Sequence, residues 1–321
     1  GDPPVSAGHN DVRGPEARQL LLGQKTDYPD RYAPELLMPL PRQRDAAPAF
    51  AAGADIWNAY ELSWLDATGL PRIALLELTV DALSPFLVES KSLKLYLNSF
   101  SQTRFDSPVA VRERITGDLA GVVGVQVEAR LFLPGNDGSL PDKPPLVEPV
   151  DYARRLLDCL LASGSSDHDS AAPPASLSER AQGGCASALK APSVQCLDNT
   201  PRADDPRQEG AEVALVSEAL FSNLLKTNCP VTGQPDWATV FIVYQGARLD
   251  RRALLESLVA LREHRDFHEH CVEQIFARLL QDHRPASLLV YARYTRRGGI
   301  DINPWRATLS LQVPNLRLVR Q

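Results

Sequence analysis

Two side chains seven residues apart are the best placed for chemistry: Cys229 and Asp236, in Thr227-Asn228-Cys229-Pro230-Val231-Thr232-Gly233-Gln234-Pro235-Asp236-Trp237. The prolines and glycine of this segment restrict its path to a defined loop. A thiolate adds to an electrophilic carbon, and a nearby carboxyl supplies or takes the proton that the addition requires. The same spacing also describes a small buried thiol and a turn aspartate. A second segment, Leu87-Val88-Glu89-Ser90-Lys91-Ser92-Leu93-Lys94, sets Lys91 and Lys94 in the first turns of a predicted helix. Lysines beside a serine at the electropositive end of a helix suit a phosphate, though lysines on the wet face of an ordinary helix have this spacing too. Two more segments carry reactive types: Asp266-Phe267-His268-Glu269-His270-Cys271, and Arg296-Arg297-Gly298-Gly299-Ile300-Asp301-Ile302-Asn303-Pro304.

Positioning these residues requires elements on both sides of a compositional break. Tyr60, Leu62 and Trp64 alternate along a strand at 59–65, and 72–80 is a second strand. Leu93, Tyr96, Leu97 and Phe100 then mark one face of a helix beginning at Glu89. A weaker helical pattern covers 108–120, and alternation from Val125 to Leu133 predicts a strand with one buried face. The later half repeats this grammar: a strand at Val240–Tyr244, a helix from Asp250, a helix bearing Val272, Ile275, Phe276 and Leu279, and strands at 286–294 and 307–313. Only one strand is evident before its helices. Val127-Glu128-Ala129-Arg130 matches Val290-Tyr291-Ala292-Arg293, and Glu89 matches Asp250 at a helix start. The expected organisation is an arm (1–52), a first module (53–134), a partly mobile linker or insertion (135–211, with a short helix at 151–162) and a second module (212–321). Each module is α+β, an antiparallel sheet with two helices on one face. No Gly-x-Gly-x-x-Gly turn follows a strand, so no Rossmann domain is expected.

The chain of 321 residues has a net charge of −6, 44% hydrophobic and 23% charged residues, the composition of a globular protein. That charge argues against direct nucleic-acid binding. No apolar run approaches the roughly 18 residues of a membrane helix, so no membrane role is expected. Five irregularly spaced cysteines fit free thiols in a reducing compartment, and the cytoplasm is the expected location. Gly1-Asp2-Pro3-Pro4 lacks a signal-peptide layout, and with Met38 the only methionine, residue 1 is not expected to be the genetic start.

Glu89-Ser90-Lys91-Ser92-Leu93-Lys94-Leu95-Tyr96 resembles the signature of the NADPH-dependent 7-cyano-7-deazaguanine reductases of queuosine biosynthesis. Asn228-Cys229-Pro230-Val231-Thr232-Gly233-Gln234-Pro235-Asp236-Trp237 resembles their catalytic loop, and Asp266–Glu269 and Arg297–Pro304 resemble further blocks in the same order. Gly53–Trp57 and Tyr60–Leu65 are similar to the longer, two-module branch. The resemblance implies tandem tunnelling-fold modules, a homodimer, a small 7-deazaguanine substrate, and two NADPH per turnover without a metal. It implies that Cys229 adds to the nitrile carbon to form a thioimide, with Asp236 as proton donor. Val88, Glu89, Ser90, Phe267, His268 and Glu269 would bind substrate, Glu269 accepting from the guanine-like edge. Ser90, Lys91, Lys94, Arg297 and Gly298 would hold NADPH. Two alternatives stay open: a purine or pterin cyclohydrolase-like enzyme of the same fold, and a non-catalytic purine-binding protein. Against the first, its zinc form relies on a Cys-x-x-His pair that this sequence lacks. Adjacent His270 and Cys271 also point apart on a helix.

Overall fold

The computed structural model describes residues 28–44, 48–164, 192–200 and 215–321. Its centre is a pair of long hairpins. In the first, β2 (Ala52–Leu65) turns into β3 (Pro71–Asp81) through Asp66, whose side chain accepts from the Thr68 and Leu70 amides. Gly69, at φ +91°, supplies the left-handed residue that the turn needs. In the second, β8 (Leu215–Asn228) turns into β9 (Pro235–Ala247) through the Cys229 loop. Both hairpins carry a register shift on their first strand, between Ala59 and Leu62 in one and Ser222 and Leu225 in the other.

Each hairpin is followed by two helices and a strand that returns to the hairpin's second strand. After β3 come β4 (Phe86–Val88), α1 (Ser90–Asn98), α2 (Pro108–Val123) and β5 (Val127–Phe132). After β9 come α4 (Arg251–Val259), α5 (His268–His283), β10 (Ser287–Tyr294) and a further strand, β11 (Ile300–Ala307). The matched Val-x-Ala-Arg segments fall on β5 and β10, which pair antiparallel with β3 and β9 respectively. Glu89 and Asp250 each cap a helix by accepting two amide hydrogens, from Lys91 and Ser92 in one case and from Arg252 and Ala253 in the other.

The halves share one eight-stranded sheet, in the order β5-β3-β2-β11-β10-β9-β8-β7, in which, among the described residues, β7 (Ser193–Cys196) is the one strand that pairs in parallel. The seam is the β2–β11 ladder, from Ala52↔Ala307 to Ala59↔Ile300. Both helix pairs cover the same face. Leu93, Tyr96, Phe100, Ile115 and Leu119 pack on Trp57, Trp64, Leu76 and Leu78, while Leu258, Val272 and Phe276 pack on Leu220, Ile242 and Val290. At the seam, buried Asp55 receives Arg42 at 2.5 Å and Arg306 at 2.9 Å. Burial works to raise its pKa, but the two guanidiniums prevail and hold it below the ordinary carboxylate value.

The α+β class is borne out, with four differences from the sequence reading. The second half has two strands before its helices; β8 escaped notice because it is buried on both faces and so loses its alternation. Of the strand expected at 307–313 only Ala307 is in a ladder, as the end of β11; Leu309, Leu311 and Val313 pack with it on the opposite face of the sheet without ladder partners. Within the stretch expected to be a linker, α3 (Pro149–Gly164) buries Tyr152, Leu156 and Leu160 on that face, β6 (Leu146–Val147) pairs with β12 (Arg317–Leu318), and β7 joins the main sheet. The remainder of that stretch, 165–191 and 201–211, lies outside the described residues, as does 1–27 of the arm. Of the arm's described part, β1 (Pro39–Pro41) pairs with β4 and so belongs to the structure around α1.

Candidate active site

The loop between β8 and β9 is tied at its neck, Cys229 N donating to Gln234 O at 2.8 Å and Gly233 N to Cys229 O at 3.0 Å. Gly233 takes the left-handed φ of +70° that lets so short a loop close. The Thr232 amide donates to Cys229 Sγ at 3.5 Å, a contact that strengthens when the sulfur is ionised. Cys229 is buried yet lines a cavity of about 410 Å³, a volume in the range of small-ligand sites. Cys271 is also buried, but burial pushes its thiol up to about 12, and it is absent from the cavity wall. Among the described residues the cysteines are free thiols.

Asp236, the second residue of β9, faces the same cavity. Its Oδ2 lies 3.3 Å from His268 Nε2, and its Oδ1 accepts a short hydrogen bond from Arg297. Burial opposes ionisation of this carboxyl, but His268 and then Arg297 outweigh it and hold the pKa below the ordinary value. In the free protein Asp236 is therefore a carboxylate, ready to accept a proton before it can donate one. His268 is set by a parallel stack on Tyr294, with ring centroids 3.7 Å apart. Its Nδ1 is buried and has no partner among the described residues.

Asp266 accepts from the Phe267 amide at 2.7 Å and from Gln274, and braces His270 Nδ1 at 3.1 Å and His264 Nε2 at 3.5 Å. His264 and His270 thus share a structural carboxylate at the start of α5. Glu269, on the first turn of α5, is 3% exposed and lines the cavity. Burial, reinforced by Asp55, raises its pKa. Its carboxylate receives its own amide hydrogen and no other hydrogen bond among the described residues. A buried acceptor in that condition is matched to a ligand bearing adjacent N–H groups.

The opposite wall comes from the first half. Val88, Ser90, Lys91 and Lys94 line the cavity together with Phe267, His268, Arg297 and Gly298 of the second half. Eleven of the twelve residues singled out in the sequence therefore meet at one cavity. Glu89 is the exception. Its carboxylate is turned back to cap α1, with Ser92 N at 2.7 Å and Lys91 N at 3.1 Å, and it stays behind the wall. The capping also corrects the phosphate reading, because those two amide donors of the helix start are already taken. An anion here would be met by the side chains of Lys91, Lys94 and Arg297. The sequence reading missed the Arg297–Asp236 pair and the Tyr294 platform. The pair joins residues 61 apart in the chain and has no sequence signal, whereas Tyr294 stands only three residues before Arg297.

Comparison with known proteins fits this geometry. Residues 28–131 match the family described as "Nitrile reductase, 7-cyano-7-deazaguanine-reductase N-term", and 235–312 match "QueF-like protein". The chain is 42% identical over 308 residues to an NADPH-dependent 7-cyano-7-deazaguanine reductase of Chromohalobacter salexigens, covering 94% of this chain and 96% of the relative. It is 42% identical over 308 residues to the Bordetella pertussis protein of the same name, covering 94% and 97%. The Stenotrophomonas maltophilia relative is 42% identical over 301 residues, covering 91% and 94%. The chain belongs to the 7-cyano-7-deazaguanine reductase family. The two family matches divide as the site does, one covering the Lys91 wall and the other beginning at Pro235, one residue before Asp236. Cys229 falls between them, inside the span shared with the full-length relatives.

Proposed function

We propose that this chain reduces the nitrile of 7-cyano-7-deazaguanine to the aminomethyl group with NADPH, through a thioimide on Cys229, in the route to queuosine. The observation that carries the reading is a cavity-lining thiol on the same wall as a carboxylate kept ionised by His268 and Arg297, with Glu269 nearby bonded only to its own amide among the described residues. The names of the relatives support the substrate and cofactor. Glu269 accepts paired N–H donors of the substrate's guanine-like edge, and a competing base without them leaves a buried carboxylate unmatched. His268 Nδ1 adds a further polar contact, and Phe267 lies on the same wall.

Chemistry begins with the thiol. Cys229 Sγ forms a bond to the nitrile carbon as its proton passes to Asp236. The C≡N π pair moves to nitrogen, which takes that proton back from Asp236. The net result is addition of S–H across the nitrile, giving a carbon more electrophilic than before. NADPH, when bound, supplies the hydrides, and a nitrile needs two of them, with two further protons, to become an amine. Between them the C–S bond breaks and Cys229 leaves as thiolate, stabilised by the Thr232 amide.

The cavity suits such a cofactor on structural grounds. Lys91, Lys94 and Arg297 give a cationic donor set, with Ser90 beside them. Gly298, at φ +57°, keeps the wall to bare backbone, and a Cβ there would stand 3.0 Å from Lys94 Nζ. An arginine in the set suits the extra phosphate that separates NADPH from NADH. Removing one charge-assisted contact is worth about 1.5–3 kcal/mol, so Lys91→Ala should raise the KM for NADPH about tenfold or more. The overall reading is tested by mixing purified protein with 7-cyano-7-deazaguanine and following NADPH absorbance against amine formation. Two NADPH oxidised per amine is the expected ratio; no oxidation, or oxidation without amine, would refute it.

A further inference from the structure

Arg297 stands where two ligands compete for it. Its guanidinium binds Asp236, a carboxylate with a side chain 4% exposed, while its own side chain is 32% exposed and lines the cavity shared with Lys91 and Lys94. The backbone is pinned, Arg297 N donating to Ile300 O at 2.9 Å and Ile300 N to Arg297 O at 3.1 Å, which leaves the side chain as the movable part. The hydrogen bond to Asp236 uses Nη1, one corner of a five-donor fork. Lys94, across from Gly298, is already engaged by Glu61 at 3.6 Å. A phosphate entering beside Gly298 carries more charge than a carboxylate and offers the fork a bidentate partner.

We propose that Arg297 is a shared positioning residue: it holds Asp236 as a carboxylate while Cys229 adds to the nitrile, and turns to the cofactor's phosphate when NADPH binds, which frees Asp236 to retain a proton. The proposal rests on the reaction assigned above and gives its two halves opposite proton requirements. Addition of the thiol needs an acceptor for the S–H proton. Each hydride that follows brings an electron pair to carbon and needs a proton delivered to nitrogen. In the addition Asp236 only relays the S–H proton to nitrogen, whereas in the hydride steps it must hold a proton until the hydride arrives, and an arginine withdrawn from an aspartate raises its pKa by about 1–3 pH units. Cys229 from the loop meets the Arg297 guanidinium itself, and the other groups facing Asp236 are His268 from α5, which remains on Oδ2, and Cys271 and Tyr294 behind it. Burial holds the last two in their neutral forms at physiological pH, so neither replaces the departing cation.

The test reads the carboxyl itself, without turnover. Infrared difference spectra of wild type against Asp236→Asn, over a pH series, isolate the Asp236 carboxyl band and its midpoint. NADP+, which binds without reducing, is the probe, with its saturation followed by tryptophan fluorescence. The expected midpoint rises by about 1–3 pH units on saturation with NADP+. Arg297→Gln should show the raised midpoint without NADP+ and no further rise with it, whereas Arg297→Lys keeps the lower one. A wild-type midpoint unmoved by bound NADP+, failure of NADP+ to bind, or a folded Arg297→Gln protein with the wild-type midpoint would each overturn the proposal. Failure of the assigned reaction shows differently, as no substrate adduct on Cys229 in a protein whose Asp236 still responds to NADP+.

Discussion

Glu269 carries two opposed demands in one side chain. In the proposed reaction its charge recognises a guanine-like edge, and the fold around it opposes that charge through burial and the neighbouring Asp55. Since its folded-state pKa is raised, the associated stability is fully present below the unfolded value of about 4.3 and is lost as pH rises through the folded value. Glu269→Gln cannot ionise, so at pH 8 it should melt about 2 °C or more above wild type, with the gap closing toward pH 4. The same change should weaken substrate binding by about tenfold or more, because a charged acceptor is lost. Calorimetry and a binding titration on the same two proteins check both halves; a variant that melts below wild type at pH 8 would show that the carboxylate is better compensated than its surroundings indicate. The chemistry-bearing residues were largely legible because each sits in a short loop or helix start with a distinctive local composition. What joins them, such as Arg297 to Asp236, depends on a loop and the start of a strand meeting in space.

At the scale of elements, the start of α1 decides where Ser90 and Lys91 stand, and Glu89 decides the start of α1. Loss of this cap in Glu89→Ala should cost about 0.5–2 kcal/mol of stability and raise KM for substrate and NADPH together. Glu89→Asp should keep most of the stability, since Asp250 caps the equivalent helix in the second half by the same two-amide pattern. If Glu89→Asp instead lost substrate binding at unchanged stability, the carboxyl would have to reach the substrate directly. α3 offers the complementary test, because it lies across the sheet from the cavity. Leu156→Ala should destabilise by about 2–5 kcal/mol in denaturant unfolding, while the folded fraction keeps wild-type KM values. Alternation revealed β2 and β5 but missed β8, which is covered on both faces, and the helical pattern at 151–162 gave no hint that α3 is core. Surrounding Ser, Ala and Pro composition hid a buried helix inside an apparent spacer.

Across the whole molecule, the tandem arrangement has one consequence that neither half could supply alone. The β2–β11 ladder fuses two sheets, and the cavity opens beside that seam, with Trp57 from β2 and Ile300 and Ile302 from β11 on its wall. A wall bearing Lys91 and Lys94 from one half thereby shares the cavity with Cys229 from the other. The repeat was readable from Val127–Arg130 against Val290–Arg293, whereas the continuity of the sheet was not, since strand order across a seam leaves no periodic trace. The central claim is that Cys229 is the nucleophile in this shared cavity. Intact-protein mass spectrometry after adding 7-cyano-7-deazaguanine alone, without NADPH, tests it most directly. Wild type should gain the mass of one substrate molecule, mapped to the peptide containing Cys229, and Cys229→Ala should gain none. An adduct retained by folded Cys229→Ala, or carried by Cys271 in the wild type, would contradict the account.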